Sequence, residues 1–253
     1  MMLKYLFVFL LAFSFYEANA QRSKPDQLAT KKGSVTIQPV LHGSVVFTWN
    51  NKTIYVDPYG GAAAFSSLTA PDLILITDIH GDHADLKTLE AINTTKAKFI
   101  VPAAVAEMLP ANLKSKATIL KNGDQTIQYG MGITAVPMYN LPETADSRHP
   151  KGRGNGYVLN IGGKNIYLSG DTEDIPEMKA LQNIDVAFVC MNLPFTMDIN
   201  QAAEALLAFK PKVVYPYHYR GQDGLSDVEA FKKLVNDKNA QIDVRLRGWY
   251  PSN

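Results

Sequence analysis

The chain has 253 residues, a formal charge of +1 and 46% apolar side chains, values that suit one large globular domain and exclude a disordered or fibrous chain. So even a charge balance gives no reason to expect nucleic acid as a partner, which usually needs a strong basic excess or stripe. The only cysteine, Cys190, excludes an internal disulfide, and its apolar setting, 186–190, predicts a buried structural thiol rather than a nucleophile.

The first twenty residues stand apart. Lys4 precedes an apolar run, 6–15, and Ala18-Asn19-Ala20 offers a small-residue cleavage site before Gln21. This predicts a signal peptide over 1–20, cleaved after Ala20, and a periplasmic or secreted location. The run is shorter than the roughly 20 residues that cross a bilayer, so no stable membrane anchor is expected. Residues 21–32 are polar and predict a mobile lead-in, leaving 33–253 as a single domain.

Short strands are expected at 35–40, 45–49 and 52–56, the last two joined by Asn50-Asn51, a turn-forming pair. The run 72–77 is apolar without alternation, which predicts a strand buried on both faces. Asp85 then caps a helix to about 92; a strand at 99–101 and a helix at 103–108 follow. Further strands are expected at 117–120, 125–129, 133–138, 157–161, 165–169 and 186–190. Asp198 caps a helix over 199–209 whose Ala202, Ala205, Leu206 and Phe209 share one face. A strand at 212–217, a helix opened by the capping box Ser226-Asp227-Val228-Glu229 and a strand at 242–246 close the chain. Mixed strands and helices in two successive halves, with no linker between them, predict one domain of two sheets covered by helices.

The five histidines, His42, His80, His83, His149 and His218, all fall at strand ends or in loops, where a rigid scaffold carries functional groups. Asp78-Ile79-His80-Gly81-Asp82-His83 places four donors in six residues directly after a buried strand. Imidazole nitrogens and carboxylate oxygens are the ligands that zinc, iron or manganese accept. One or two divalent ions are therefore expected, with zinc favoured and manganese or iron as alternatives.

That segment resembles the His-x-His-x-Asp-His signature of the metallo-β-lactamase superfamily. Leu41-His42-Gly43-Ser44 with Ile54-Tyr55-Val56-Asp57-Pro58, Tyr167-Leu168-Ser169-Gly170-Asp171-Thr172 and Pro216-Tyr217-His218-Tyr219 extend the likeness over about residues 34–220. The branch most similar is that of small metal-dependent hydrolases related to the ascorbate-6-phosphate lactonases. The resemblance implies an α/β (α+β) four-layer αββα sandwich, with two mixed β-sheets flanked by helices. It also implies that His80 ligates a first metal, that Asp82, His83 and His218 ligate a second, and that Asp171 bridges them.

Two positions depart from the family pattern. Asp78 stands where the first histidine is usual, and Asn140 about where another is expected. A carboxylate at 78 is a competent, harder ligand, whereas Asn140 is a weak one; His149, nine residues later, is a candidate to complete the first site. An ionised Asp78 would bring two divalent ions, two aspartates and a hydroxide to formal neutrality, weakening the Lewis acid. His42 and Asp57 are candidates to orient ligands from outside. Arg148, in a loop rich in cations and glycines, is a candidate for an anionic substrate group, and Tyr219 for the pocket wall.

The resemblance thus implies hydrolysis of a small ester, lactone or phosphodiester, with a metal-bound hydroxide as nucleophile and Asp78 and Asp82 in the catalytic centre. Turnover of β-lactams is not expected. The alternative, prompted by Asp78 and Asn140, is a non-catalytic metal- or ligand-binding protein that retains the fold.

Overall fold

The computed structural model describes residues 22–144 and 146–250; the expected signal peptide lies outside them. Two seven-stranded sheets face one another. The first opens as an antiparallel meander of β1 (Asp26–Thr30), β2 (Gly33–Leu41), β3 (Ser44–Trp49) and β4 (Lys52–Val56). It continues in parallel through β5 (Leu73–Leu75), β6 (Lys98–Val101) and β7 (Ala117–Ile119). The second repeats the plan: β8 (Gln125–Gln128), β9 (Met131–Val136), β10 (Gly156–Ile161) and β11 (Lys164–Leu168) are antiparallel. The parallel strands β12 (Val186–Val189) and β13 (Val213–Pro216) follow. A two-residue hairpin, β14 (Arg220–Gly221) with β15 (Gly224–Leu225), stands apart, and β16 (Asp243–Val244) completes the second sheet beside β13.

Helices fill the crossovers between parallel strands, where antiparallel hairpins cannot serve. On the outer face of the first sheet lie α1 (Leu86–Ala91), α2 (Ala103–Met108) and α3 (Ala111–Lys114). Their Leu89, Val105 and Leu113 pack on Tyr55, Ile74, Phe99 and Val101. In the second half come α4 (Pro176–Lys179), α5 (Ile199–Phe209) and α6 (Val228–Lys238), with Phe209 edge-on to Tyr167. The layers are therefore αββα, as the resemblance implies. Between the sheets Phe188 touches Phe47, stacks on Tyr215 at 4.9 Å and meets Tyr217 and Trp249 edge-on; truncating such a residue to alanine costs about 3–5 kcal/mol.

Local rules explain most elements. Asn50 and Asn51 both take positive φ, 47° and 57°, the conformation of a two-residue hairpin turn whose twist matches its strands. Leu73, Ile74 and Leu75 are fully buried, as a strand covered on both faces requires. Asp85 accepts from the Thr88 backbone N–H, and Asp198 forms a complete capping box with Gln201, each satisfying a donor that a helix start leaves open.

Other expectations need correction. The fold begins at Asp26 rather than near Gly33, because the polar lead-in carries Leu28 onto the core and pairs with β2. The last helix is capped by Asp227, which accepts from the Ala230 N–H, while Ser226 donates to the Met191 carbonyl. The expected strands at 72–77 and 242–246 shrink to β5 and β16, since their ends turn away to carry side chains or close the chain. The short α3, α4 and the β14–β15 hairpin had no periodic signal.

Candidate metal centre

The candidate residues sit beyond the carboxyl ends of strands in both sheets, where open α/β architectures bind ligands. His42 follows β2, Asp57 follows β4, the segment 77–83 follows β5, Asn140 lies beyond β9, Asp171 follows β11 and His218 follows β13. His42, Asp57 and His218 all have positive φ, of 58°, 44° and 46°, a conformation that costs an L-residue roughly 1–2 kcal/mol and that the fold imposes at the centre. Two glycines permit the close approach. A Cβ on Gly43 would lie 3.3 Å from the His218 ring, and one on Gly170 would lie 2.6 Å from Met138 Sδ, at a φ of +60°.

His83, His218, Asp82 and Asp171 form one group of donors. The Nε2 atoms of His83 and His218 are 3.1 Å apart. Asp171 Oδ2 lies 3.4 Å from the first and Oδ1 3.4 Å from the second, and Asp82 Oδ2 is 3.4 Å from His218 Nε2. The His83 ring is held from behind: its Nδ1–H faces Asp57 Oδ2 at 2.9 Å, and Asp57 also accepts from the Thr77 backbone N–H and hydroxyl. A donated Nδ1 proton leaves Nε2 with its lone pair aimed inward.

Asp78, His80 and His149 form the neighbouring group. His80 Nδ1 is 2.8 Å from Asp78 Oδ2, and the His80 and His149 rings meet edge-on at 5.0 Å. His149 is fully buried, and its Nε2 lies 3.2 Å from Asp171 Oδ2. Asp171 thus touches both groups. Behind His149 stands Asn140, whose Oδ1 accepts from the His149 backbone N–H at 2.8 Å and from its Nδ1 at 3.0 Å. The Asn140 amide in turn donates to Glu173 Oε1 and to the Phe195 carbonyl.

On the outer side of Asp82, the Arg220 backbone N–H donates to the Tyr250 hydroxyl. That hydroxyl lies 2.8 Å from His42 Nδ1, and His42 Nε2 lies 3.1 Å from Asp82 Oδ2. Since the carboxylate accepts, His42 donates from Nε2 and takes the Tyr250 proton at Nδ1.

The electrostatics match a cation site. Burial raises the carboxyls, yet imidazole contacts outweigh it: Asp171 and Asp82 are held well below the ordinary range. Asp78, against the same desolvation, is carried down to about 2 by His80, His83 and Arg153. Burial would depress His83, but Asp171 and Asp57 hold it well above its usual value; for His42 burial prevails and its value falls. A buried field that draws a proton onto His83 is one that a metal cation can occupy instead. His149 Nε2 and Asp171 Oδ1, both buried, have no hydrogen-bond partner among the described residues, a rare and costly state for polar atoms that a metal ion would relieve. The residues fit the metal chemistry that their types suggest.

Asp78 differs from the expectation in one respect. Arg153 grips it with both arms, Nε to Oδ1 at 3.2 Å and Nη2 to Oδ2 at 3.0 Å. The guanidinium adds a positive charge that the neutrality argument left out. Asn140 is turned toward His149 as an orienting partner. Arg148 is exposed, with its guanidinium 4.4 Å over the Phe195 ring. Tyr219 is buried, packs edge-on against Tyr250 and donates to the Arg247 carbonyl, which makes it part of the wall under Tyr250. Tyr217 is fully buried too, but its hydroxyl accepts from the Gly170 N–H and braces the turn that carries Asp171.

Sequence reasoning missed Arg153 as the partner of Asp78, Thr77 behind His83 and Tyr250 behind His42. Arg153 lies in the same cation- and glycine-rich loop as Arg148, and its carboxylate partner is internal. Tyr250 gave no signal, being 208 residues from its histidine.

Comparisons with known proteins agree with this geometry. Residues 36–218 match the model of the β-lactamase superfamily domain. A UPF0173 metal-dependent hydrolase of Thermococcus onnurineus is 35% identical over 204 residues, covering 77% of this chain and 90% of the relative. The crystal structure of a metal-dependent hydrolase from Parabacteroides distasonis superposes with a TM-score of 0.80 at 39% identity, covering 90% of this chain and all of that one. Igni18, a metallo hydrolase of Ignicoccus hospitalis, gives 0.70 at 25% identity over 87% of this chain and 96% of its own. With the fold, the clustered donors and these likenesses in agreement, the chain belongs to the metallo-β-lactamase superfamily, in its branch of small metal-dependent hydrolases.

Proposed function

We propose that this metal-dependent hydrolase cleaves a small ester, lactone or phosphodiester bearing an anionic group, and that it does so after export and removal of residues 1–20. The observation that carries the reading is the gathering of His80, His83, His149, His218, Asp78, Asp82 and Asp171 into adjoining donor groups joined at Asp171, with buried His149 Nε2 and Asp171 Oδ1 making no hydrogen bond among the described residues. Asp78, His80 and His149 would hold a first ion, Asp82, His83 and His218 a second, with Asp171 shared; zinc suits the donor set, as do manganese and iron. A bound divalent ion supplies Lewis acidity toward a carbonyl or phosphoryl oxygen and makes water acidic enough to attack at neutral pH.

The chain's own residues do the rest. Asp57 and Asn140 keep the Nδ1 protons of His83 and His149 pointing outward. His42 holds Asp82 in place and is itself held by Tyr250. Arg148, exposed and pre-oriented on Phe195, offers planar donors to a substrate carboxylate or phosphate. The presence of His149 in the first group weakens one of the two reasons, Asn140, for supposing that chemistry had been lost.

The test is a panel of lactones, phosphodiesters and carboxylate esters, assayed on the metal-loaded protein, on the chelated protein and on Asp82→Asn. Activity on one class that chelation and Asp82→Asn both abolish supports the reading. A panel without turnover, or turnover indifferent to chelation, sinks it. Penicillin and carbapenem hydrolysis is expected to be absent, and mass spectrometry of the exported protein should find Gln21 at its start.

A further inference from the structure

We propose that Arg153 is the positioning residue that makes a carboxylate workable at position 78 and assembles the first metal subsite around it. The inference rests on the metal role proposed above for Asp78, His80 and His149.

Asp78 has no exposed surface, and an unpaired buried carboxylate is costly. It also shares its surroundings with Asp82 and Asp171, so a third negative charge needs local compensation. Arg153 gives it with a two-armed contact, the geometry in which guanidinium and carboxylate match best. This contact engages both carboxylate oxygens, and His80 Nδ1 also approaches Oδ2 at 2.8 Å.

The same guanidinium does a second thing. Its Nη2 also donates to the Arg148 carbonyl at 2.6 Å, the backbone group directly before His149. One side chain therefore joins the segment that carries Asp78 and His80, after a strand of the first sheet, to the loop that delivers His149 from the second half. The loop is seated to make this reach: the Asn155 N–H donates to the Thr77 carbonyl at 2.9 Å. Gly154 passes so close that a Cβ there would meet the same carbonyl oxygen at 2.8 Å. Where the family pattern has a neutral histidine at position 78, this chain has an aspartate and a tethering arginine acting as a unit.

The experiment is cobalt(II) titration of the metal-free protein, read by d–d absorption and by metal content after dialysis. It compares wild type with Arg153→Met, Arg153→Lys, Asp78→His and the double variant Asp78→His/Arg153→Met. Wild type is expected to bind two ions. Arg153→Met should keep one at wild-type affinity and bind the other about 10- to 100-fold more weakly, the usual penalty for losing a group behind a ligand. Arg153→Lys, which keeps the charge but not the fork, should recover part of that loss, and it carries the test if the methionine variant does not fold. Asp78→His should lose the same ion, because it leaves the guanidinium facing an imidazole, and the double variant should regain it.

Unchanged first-ion affinity in Arg153→Met, a single wild-type ion indifferent to Arg153, or a double variant no better than Asp78→His would each overturn the proposal. Wild type that binds no cobalt would instead overturn the metal reading on which it stands.

Discussion

His218 enters the second subsite directly after β13, while His83 comes from the loop after β5 that also carries Asp78 and His80, and Asp57 holds His83 from the end of β4. His149 enters the first from the long connection between β9 and β10, where Asn140, Glu173 and Arg153 hold it and its neighbours by side-chain contacts. The donor types are the same on both sides, two imidazoles and a carboxylate each with Asp171 between them. What differs is the support of one imidazole: His218 follows a strand end directly, whereas His149 is held by a chain of polar contacts. Affinity on each side should therefore depend on residues that bind no metal: Asn140, Glu173 and Arg153 on one, Asp57, Thr77, His42 and Tyr250 on the other.

The largest effect is expected where the comparison collapses, at Asp171. Its two oxygens face His218 on one side and His83 and His149 on the other. Asp171→Asn should weaken both ions by about 100-fold or more, beyond the penalty for a supporting residue, and abolish turnover. Calorimetry with zinc would show it; one ion held at wild-type affinity would mean that the subsites do not share this residue.

The next test separates the two sides. Asn140→Ala removes the acceptor behind His149, and Asp57→Ala the one behind His83. Each should weaken one ion by about 10- to 100-fold and leave the other unchanged, and the two variants should affect different ions. The ion bound by each variant can be followed by the His149 and His83 imidazole resonances in the NMR spectrum. If both variants weaken the same ion, the division into two supports is wrong.

The same contrast explains what was legible in the sequence. The second subsite was expected from the family resemblance, because its residues lie in short motifs, Asp82-His83 in the loop after one apolar strand run and Pro216-Tyr217-His218 at the end of another. Asp198 and Asp85 were equally readable as caps, since their chemistry acts within three residues. The first subsite was half visible. His149 stood in a loop without periodicity, and the contacts that bury it, Asn140 and the Arg153–Asp78 pair, join segments 9 and 75 residues apart. Sequence spacing carries no sign of such pairs. Residues 26–30 were misjudged for a related reason: five polar-rich residues predict little, and it is β2 that makes them a strand.

The smallest effect tests whether the second subsite depends on structure further out. Asp26, on that added strand, takes both oxygens to Arg247 Nη2 at 2.7 and 2.8 Å and accepts from the Tyr215 hydroxyl. It thereby fastens the segment that carries Tyr250, the partner of His42. Burial would raise the Asp26 carboxyl, but Arg247 and Tyr215 hold it below its ordinary value of 3.8. A depressed folded-state value stabilises the fold above the unfolded-state value and is lost as pH falls through the folded one. Asp26→Asn should therefore cost about 1 kcal/mol at neutral pH, the exposed part of the pair being screened by water, and the gap from wild type should close below about pH 4. Urea melts at the two pH values measure this. If the Tyr250–His42 chain transmits the loosening, the second ion alone should bind slightly more weakly; an equal change at both ions would place the influence of Asp26 in global stability.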